Sequence, residues 1–407
     1  MIDSKNSINI IIENNKREKN FRLYKKRWLM LIIFILFTFV NSLQWGEYII
    51  ISDKVVKYYG IEAEEVDWTM QLYMVTYIIL IFPALKLLAK TGIRCCLMLS
   101  CAGLTIGAWI KVYASISPDR FPFVLLGQAI EAIFQVLIFG LAARVVGVWF
   151  GSNEISFACA LAVFGDQMGS AVGFFLPSMI VKSKDRNGIG INLTVLNLII
   201  AMTSTVTFIS ASLLFKERPK TPPNATQILQ EKSQMIMSGI NATMKSKSFI
   251  AMMVSYGINV AVYNTYMTLF NTSFSYYFQP EQQEHIGFIS TLVMLSGIVG
   301  SIFMGYILDR THLYKFCQLT YYSIAIQLAI EMTYPISESF SSSELLLTSH
   351  ILGILFGQVY RKVYNTKGDV YANLGLCFLL LIGIFLTVII PPKMKRYNKE
   401  KNCAIPN

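Results

Sequence analysis

The sequence predicts an all-α polytopic membrane protein, and three observations support this fold class. Of the 407 residues, 54% are hydrophobic and only 14% are charged, and the mean hydropathy is +0.51. Soluble proteins average about 45–50% apolar and about 25% charged residues. Apolar runs of the ~20 residues that cross a bilayer as a helix recur from end to end. The longest polar stretch, 216–248, divides these runs into two groups.

Ten apolar runs are long enough to be membrane spans. They occupy 28–52, 69–89, 94–116, 121–146, 155–181, 193–215, 249–278, 286–308, 345–364 and 371–391. Six precede and four follow the polar stretch 216–248, in which Pro219, Pro222 and Pro223 lie among basic residues as in a linker. Two helical halves joined by a basic central loop is the plan of the major facilitator superfamily, whose substrates bind between the halves near the bilayer midplane.

The distribution of charge predicts the orientation. A net charge of +11 would indicate nucleic-acid binding in a soluble chain, but in a membrane protein Lys and Arg collect in cytosolic loops, so no nucleic-acid partner is expected. Both ends and the central loop are basic, whereas 53–68 is acidic. We therefore expect both termini in the cytosol, most simply at the plasma membrane. The predicted parts are a cytosolic basic N-terminal segment 1–27, a six-helix half 28–215, a cytosolic linker 216–248, a C-terminal half 249–392 and a cytosolic tail 393–407.

The segment 316–335 is a weak span, because it contains Gln318, Glu331 and Pro335 among its apolar residues. If it crossed the membrane, the total would be eleven and the basic tail would lie outside. The charge bias favours ten spans and a segment that is re-entrant or lies on the membrane surface.

Polar groups within spans are costly and usually functional. They are Glu47 in the first span, Gln128, Glu131 and Gln135 on one face of the fourth, and Asp166 in the fifth. Three acids at membrane depth predict an interior suited to a cation or a proton relay, and interhelical hydrogen bonding by protonated acids remains the alternative. Lys111 lies near a span end, so we expect it to extend to the interface.

Trp45 also lies at membrane depth, beside polar residues of the first span. An aromatic ring there could bind a quaternary ammonium by cation–π attraction. Tyr73 and Met74 in the second span, with Tyr263 and Tyr266 in the seventh, could complete a cage. The chain has neither a phosphate-binding glycine loop nor a catalytic triad pattern, and its cysteines lack metal spacing. We expect no enzyme activity, no cofactor and no metal site.

The pattern G-x-x-x-D-R follows the eighth span as Gly305, Asp309 and Arg310. Glycine allows two helices to approach closely, and the charges could latch a cytosolic gate. A plain cluster of helix-end charges is the alternative. The pseudo-equivalent position after the second span has Ala89 where the acid belongs, which would weaken a latch there.

Several longer segments are distinctive. They are NSLQW (41–45), VDWTMQLYMVTY (66–77), LIFPALKLL (80–88), GAWIKV (107–112), VWFGSNEIS (148–156), AVFGDQMGSAVGF (162–174), SYGI (255–258), GSIFMGYILDRT (300–311), EMTYP (331–335) and ILGILFG (351–357). Together they resemble the feline leukaemia virus subgroup C receptor-related transporters, over about 28–392.

The resemblance implies a facilitator that moves choline, and ethanolamine with it, through a membrane; haem is the alternative cargo proposed for that family. It also implies binding roles for residues that match the family site, namely Trp45, Met74 and Gln135. Asn264 stands where the family has a tyrosine in span seven, and His350 where it has a glutamine in span eleven. Glu131 departs from the family pattern and could supply a compensating negative charge.

The resemblance also implies a fold whose second half is short of about two helices. Between Arg310 and EMTYP the family has the rest of spans nine and ten, so 316–335 is interpreted as the start of one joined to the end of the other. A splice variant, an incomplete gene model and real divergence all fit. A non-transporting form, which binds ligand or pairs with a full-length relative, is the alternative function.

Overall fold

The computed structural model describes residues 24–150, 155–219, 243, 246–270, 273, 287–293, 295–297, 299–300, 332–333 and 338–389. Within these ranges the chain forms ten α-helices with the bounds given below, one short 3-10 helix, Pro118–Arg120, and further helical residues at 287–293 and 295–297, and no strand. The helices are α1 (Lys26–Trp45), α2 (Ser52–Tyr59), α3 (Ala63–Thr91), α4 (Ile93–Ser115), α5 (Phe121–Trp149), α6 (Ile155–Ile180), α7 (Arg186–Leu214), α8 (Lys247–Thr268), α9 (Glu338–Lys367) and α10 (Asp369–Ile389).

Seven of the described helices are long and apolar enough to cross a membrane, which confirms the predicted all-α membrane fold. The predicted C-terminal bound of the first span, 28–52, is wrong. α1 ends at Trp45, and the chain turns through 46–51 into α2. A Cβ at Gly46 would lie 2.9 Å from a ring carbon of Phe174, so α6 packs directly on the backbone where α1 stops. Glu47 therefore lies just beyond α1 rather than within it.

Side-chain carboxylates cap the N-termini of two of the long helices. At α3, the side chains of Glu62 and Glu65 form a reciprocal capping box. At α4, the carboxylate of Glu217, beyond the end of α7, accepts hydrogen bonds from the backbone N–H groups of Ile93 (2.8 Å) and Arg94 (2.6 Å). The acid satisfies orphan donors and complements the positive end of the α4 dipole, and it ties α7 to the turn between α3 and α4.

A stripe of glycines brings α1 and α6 into backbone contact. Gly165, Gly169 and Gly173 recur every fourth residue on α6. A Cβ at the first would lie 2.8 Å from the Ile35 carbonyl oxygen, one at the third 2.7 Å from that of Leu43, and one at Gly169 would collide with the Phe39 carbonyl. Small residues in register permit this approach, in which van der Waals contact replaces the hydrophobic effect that lipid does not supply.

Small and hydroxyl residues also join the second-half helices α8, α9 and α10. The Ser255 hydroxyl of α8 donates to the Gly383 carbonyl of α10 at 3.0 Å, and it lies 2.5 Å from the Thr387 hydroxyl. On the other side of α8, a Cβ at Gly257 would lie 2.7 Å from Thr348 of α9. These contacts hold the described part of the second half together.

The two halves meet along α3 and α9, which run antiparallel. Four pairs of side chains or backbone groups mark this seam in order along α3: Asp67 with Arg361, Gln71 with Gln358, Met74 with Gly353, and Tyr77 with His350. The first is an ion pair, the second a hydrogen bond of 3.3 Å, and the last a ring stack with centroids 4.5 Å apart. The helical stretch Gly287–Gly297 adds a further contact between the halves, because Thr291 donates to the Ala171 carbonyl of α6 at 3.5 Å.

The glycine stripe gives a stability prediction. Gly169→Ala should lower the thermal unfolding temperature of the purified protein in detergent, because the new methyl group must displace the α1 backbone at a cost of about 1–3 kcal/mol. Gly147→Ala is the matched control: a Cβ at Gly147 meets nothing within 4 Å. The control should be neutral or slightly stabilising, since alanine is the better helix former. Equal effects of the two substitutions would contradict the close approach of α1 and α6.

Candidate functional site

The centre of the first half contains a buried ion triad. The Lys111 ammonium of α4 donates to Glu47 Oε1 at 2.5 Å and to Glu131 Oε2 of α5 at 2.8 Å. Lys111 is 1% exposed and both glutamates are 0% exposed. The prediction that Lys111 extends to the interface is therefore wrong: paired with two carboxylates, its ammonium lies in the interior, where an unpaired charge would be prohibitively costly.

Two glycines place Lys111 and Glu131 within reach of each other. Lys111 lies four residues after Gly107 on α4, and Glu131 four residues after Gly127 on α5, so each pair shares a helix face. A Cβ at Gly107 would lie 2.7 Å from the Gly127 carbonyl oxygen, and one at Gly127 would lie 2.8 Å from that of Gly107. Because neither glycine has a side chain, the Lys111 side chain lies over Gly127 and the Glu131 side chain lies over Gly107, and the ammonium and the carboxylate meet between the two helices.

Tyr73 connects the triad to α3. Its hydroxyl lies 2.7 Å from Gln128 Oε1 and 3.0 Å from Glu131 Oε2. The Gln128 amide nitrogen in turn faces the Gln44 carbonyl of α1 at 3.5 Å. A predicted wall of the cage, Tyr73, and a predicted counter-charge, Glu131, are thus in direct contact.

Tyr48 and Asn197 connect the triad to α7. The Lys111 ammonium lies 5.9 Å from the centroid of the Tyr48 ring. The Tyr48 hydroxyl donates to Asn197 Oδ1 at 3.0 Å, and Asn197 Nδ2 donates to the backbone carbonyl of Lys111 at 3.3 Å. Two carboxylates share one ammonium in this network, so the fully ionised triad has one negative charge in excess.

The remaining predicted residues of the first half line the interior. Trp45 is half-buried, and its ring meets that of Phe174 edge-on at a centroid distance of 6.3 Å. Met74 is buried against α9, where its Sδ lies 3.2 Å from the Cβ position of Gly353. Gln135 is buried and makes no hydrogen bond to another described residue, so its amide can serve a ligand.

The predicted residues of the second half lie on α8 and α9. Tyr266 packs against the same large apolar cluster as Trp45, and its ring meets that of Phe270 edge-on at a centroid distance of 5.4 Å. Asn264 is half-buried, and Tyr263 is 39% exposed. The His350 ring stacks on Tyr77, and its Nδ1 lies 2.6 Å from the Leu346 carbonyl oxygen.

The chain matches the model of the Major Facilitator Superfamily over residues 29–360. The choline/ethanolamine transporter flvcr2b of Danio rerio is 32% identical over 97% of this chain and 89% of its own length. The human choline/ethanolamine transporter FLVCR2 is 29% identical over 93% of this chain and 80% of its own length. This chain belongs to the family of feline leukaemia virus subgroup C receptor-related transporters.

The fold agrees with this family. The E. coli fucose:proton symporter superposes with a TM-score of 0.63 at 12% identity, over 90% of this chain and 98% of its own. The alignment with flvcr2b extends over 435 positions, more than the 407 residues of this chain, so the relative contains segments that this chain lacks. Such gaps are expected of a shortened family member. The site of the missing segments, predicted between 310 and 335, lies almost wholly outside the described residues, as do the predicted gating residues Gly305, Asp309 and Arg310.

Sequence reasoning missed two features of the seam. Asp67 appeared to be one of several acids of an exterior loop, but it pairs with Arg361 across the halves, with side chains 6% and 15% exposed. The stack of Tyr77 on His350 was missed as well. Neither feature has a signal in the sequence, because each depends on which residues of two distant helices face each other.

The triad gives the second stability prediction. Lys111→Met should reduce the yield of monodisperse protein sharply, because loss of one partner leaves buried charge uncompensated at a cost of about 3–5 kcal/mol. Adding Glu47→Gln and Glu131→Gln should restore much of the loss, since the neutral set contains no unpaired charge. Size-exclusion chromatography of tagged protein in detergent measures both. A Lys111→Met protein as stable as the unmodified one would contradict the triad.

Proposed function

We propose that this chain carries choline, and ethanolamine with it, across the plasma membrane by facilitative alternating access, with both termini in the cytosol. The observation that carries the proposal is the excess of one buried carboxylate over the buried ammonium of Lys111, in contact with Tyr73. An interior with surplus negative charge favours a cationic cargo. The names of the relatives as choline/ethanolamine transporters support the same cargo.

The proposed site uses the residues of the first half in distinct roles. The Trp45 ring attracts the trimethylammonium group through its π face, a contact that contributes about 0.5–2 kcal/mol. Gln135, whose amide has no described partner, hydrogen-bonds the substrate hydroxyl. Tyr73 and Met74 form the wall of the cage. Glu131 supplies the counter-charge, which Tyr73 links to the site through its hydroxyl.

The second half contributes the opposite wall. Tyr266, which shares an apolar cluster with Trp45, is the α8 side chain proposed to face the ammonium group, and Tyr263 and Asn264 flank it on other faces of the helix. His350 is held by its stack on Tyr77, so it contributes a fixed imidazole edge rather than a mobile side chain. The substrate would therefore contact both halves, as alternating access requires.

The seam between α3 and α9 serves as the moving interface. With cytosolic termini, the start of α3 is extracellular, so the Asp67–Arg361 ion pair closes the extracellular end. Asp309 and Arg310, after Gly305, would latch the cytosolic end when the extracellular end opens. Weak polar contacts such as Gln71–Gln358 can break and re-form during this exchange.

Substitution of Trp45 tests the choline proposal. Cells that lack their own choline carriers and express this chain should show saturable uptake of radiolabelled choline. Trp45→Ala should raise KM roughly tenfold, the loss expected for a desolvated cation–π contact, and Trp45→Phe should retain part of the affinity. Trp109→Ala is the matched control, because Trp109 is exposed and, among the described residues, its side chain hydrogen-bonds only Thr205. With equal surface expression, normal uptake by Trp45→Ala would refute the cage.

Substitution of Asp67 tests the extracellular latch. Met70→Cys provides a reporter thiol, because Met70 is buried beside Thr268 of the second half. Adding Asp67→Asn should make this thiol react severalfold faster with a membrane-impermeant maleimide applied from outside, since the halves separate more often. Glu64→Gln removes the same charge one turn earlier, at an exposed position, and should leave the rate unchanged. Equal rates in both variants would contradict the latch.

A further inference from the structure

The ion triad contains more acceptor oxygens than its donors can satisfy. Lys111 reaches Glu47 Oε1 and Glu131 Oε2, but Glu47 Oε2 and Glu131 Oε1 are buried without a hydrogen-bond partner among the described residues. A buried ionised carboxylate normally has all of its oxygens bonded, because each unsatisfied charged oxygen loses its hydration without compensation. The two unpartnered oxygens therefore indicate that the carboxylates carry more negative charge than their hydrogen-bond partners compensate.

Charge counting leads to the same conclusion. Two carboxylates share one ammonium, all three at most 1% exposed, so the fully ionised triad holds an uncompensated negative charge in a low-dielectric interior. Closely spaced carboxylates with too few cations do not both stay ionised when no other cation is present. One added proton makes the triad neutral.

The contacts of Tyr73 also fit a proton on Glu131. The Tyr73 hydroxyl has one hydrogen, yet it lies 2.7 Å from Gln128 Oε1 and 3.0 Å from Glu131 Oε2. If both oxygens were pure acceptors, one of these short contacts would lack a hydrogen. A protonated Glu131 can donate to the Tyr73 oxygen, while Tyr73 donates to Gln128, and both contacts are then satisfied.

We propose that Glu47, Glu131 and Lys111 form a site that binds one proton, and that a cationic substrate binds best after this proton has left. The inference rests on the proposed transport of choline, because it assigns the substrate to the cage that Tyr73 shares with the triad. Loss of the proton exposes the substrate ammonium group to a net negative charge. By linkage, bound substrate lowers the affinity for the proton by the same factor.

The other groups around the triad do not replace these two acids. Tyr48 and Tyr73 lie beside the carboxylates and Tyr59 lies near Tyr48, and a phenol hydroxyl is neutral near neutral pH. From α7 the triad meets the neutral amide of Asn197. On α6, Asp166 accepts a hydrogen bond from Ser42 of α1. Either glutamate can lose its charge and still leave Lys111 paired, so each single Gln variant preserves a neutral pair.

The test is choline uptake into proteoliposomes of the purified full chain, measured across a series of pH values. Choline is the probe because its ammonium group does not titrate. The KM of the unmodified protein should fall as pH rises, by up to about tenfold per unit for one linked proton. Glu131→Gln and, separately, Glu47→Gln should each remove most of this dependence. Asp166→Asn, the matched control, should retain it.

The outcomes separate this inference from the proposed function. Absence of saturable uptake at every pH would overturn the choline proposal, and the linkage with it. Saturable uptake with a KM that does not change with pH would overturn the proton site and leave the choline proposal standing. A pH dependence that persists in both Gln variants would do the same. A KM that responds to replacement of sodium by N-methylglucamine, and not to pH, would assign the site to a metal cation and overturn the proton. Thermal unfolding of each variant confirms that folded proteins are compared.

Discussion

The pairing of the Lys111 ammonium is the interaction on which the rest of the first half depends. A charge in a dry interior must be paired, and Lys111 is paired on two sides, by Glu47 and by Glu131. These contacts join three segments, which are the turn that follows α1, helix α4 and helix α5. Tyr73 and Asn197 then extend the network to α3 and α7. One buried ammonium thus fixes the relative position of five segments, and glycines at the α4–α5 contact let the backbones come close enough for it to do so.

The contrast between this network and the seam of the two halves has a functional consequence. Inside the first half, charged groups are buried and backbones touch, so the unit resists deformation. Across the seam, the described polar contacts between α3 and α9 are an ion pair at one end, one amide pair, a hydrogen bond of 3.4 Å from the Tyr77 hydroxyl to the Ser343 carbonyl, and a ring stack. An assembly that is rigid within a half and weakly bonded between halves moves most easily by rocking one half against the other. The substrate residues that we propose lie on both sides of this plane, as an alternating-access carrier requires.

The helices could be predicted from the sequence far better than the contacts between them. Apolar runs gave the bounds of α5 and α6 within a few residues, because length and hydropathy alone determine whether a helix can span a bilayer. The first run was too long, since the break at Gly46 depends on Phe174 of another helix. Lys111 was placed at the interface because one-dimensional position does not show which groups a long side chain can reach. Trp45 and Gln135 could be nominated from depth and polarity, whereas the partners of Asp67 and His350 required the packed halves.

We propose that this chain moves choline between its halves although it lacks segments that flvcr2b contains. Counterflow with purified protein tests this directly: liposomes loaded with unlabelled choline are diluted into a trace of labelled choline. We expect transient accumulation of label inside the liposomes above its equilibrium level, which requires a carrier that alternates with bound substrate on each side. Label that only equilibrates, or that enters no faster than in protein-free liposomes, would show that the chain does not carry choline by alternating access and would favour a form that binds ligand without cycling.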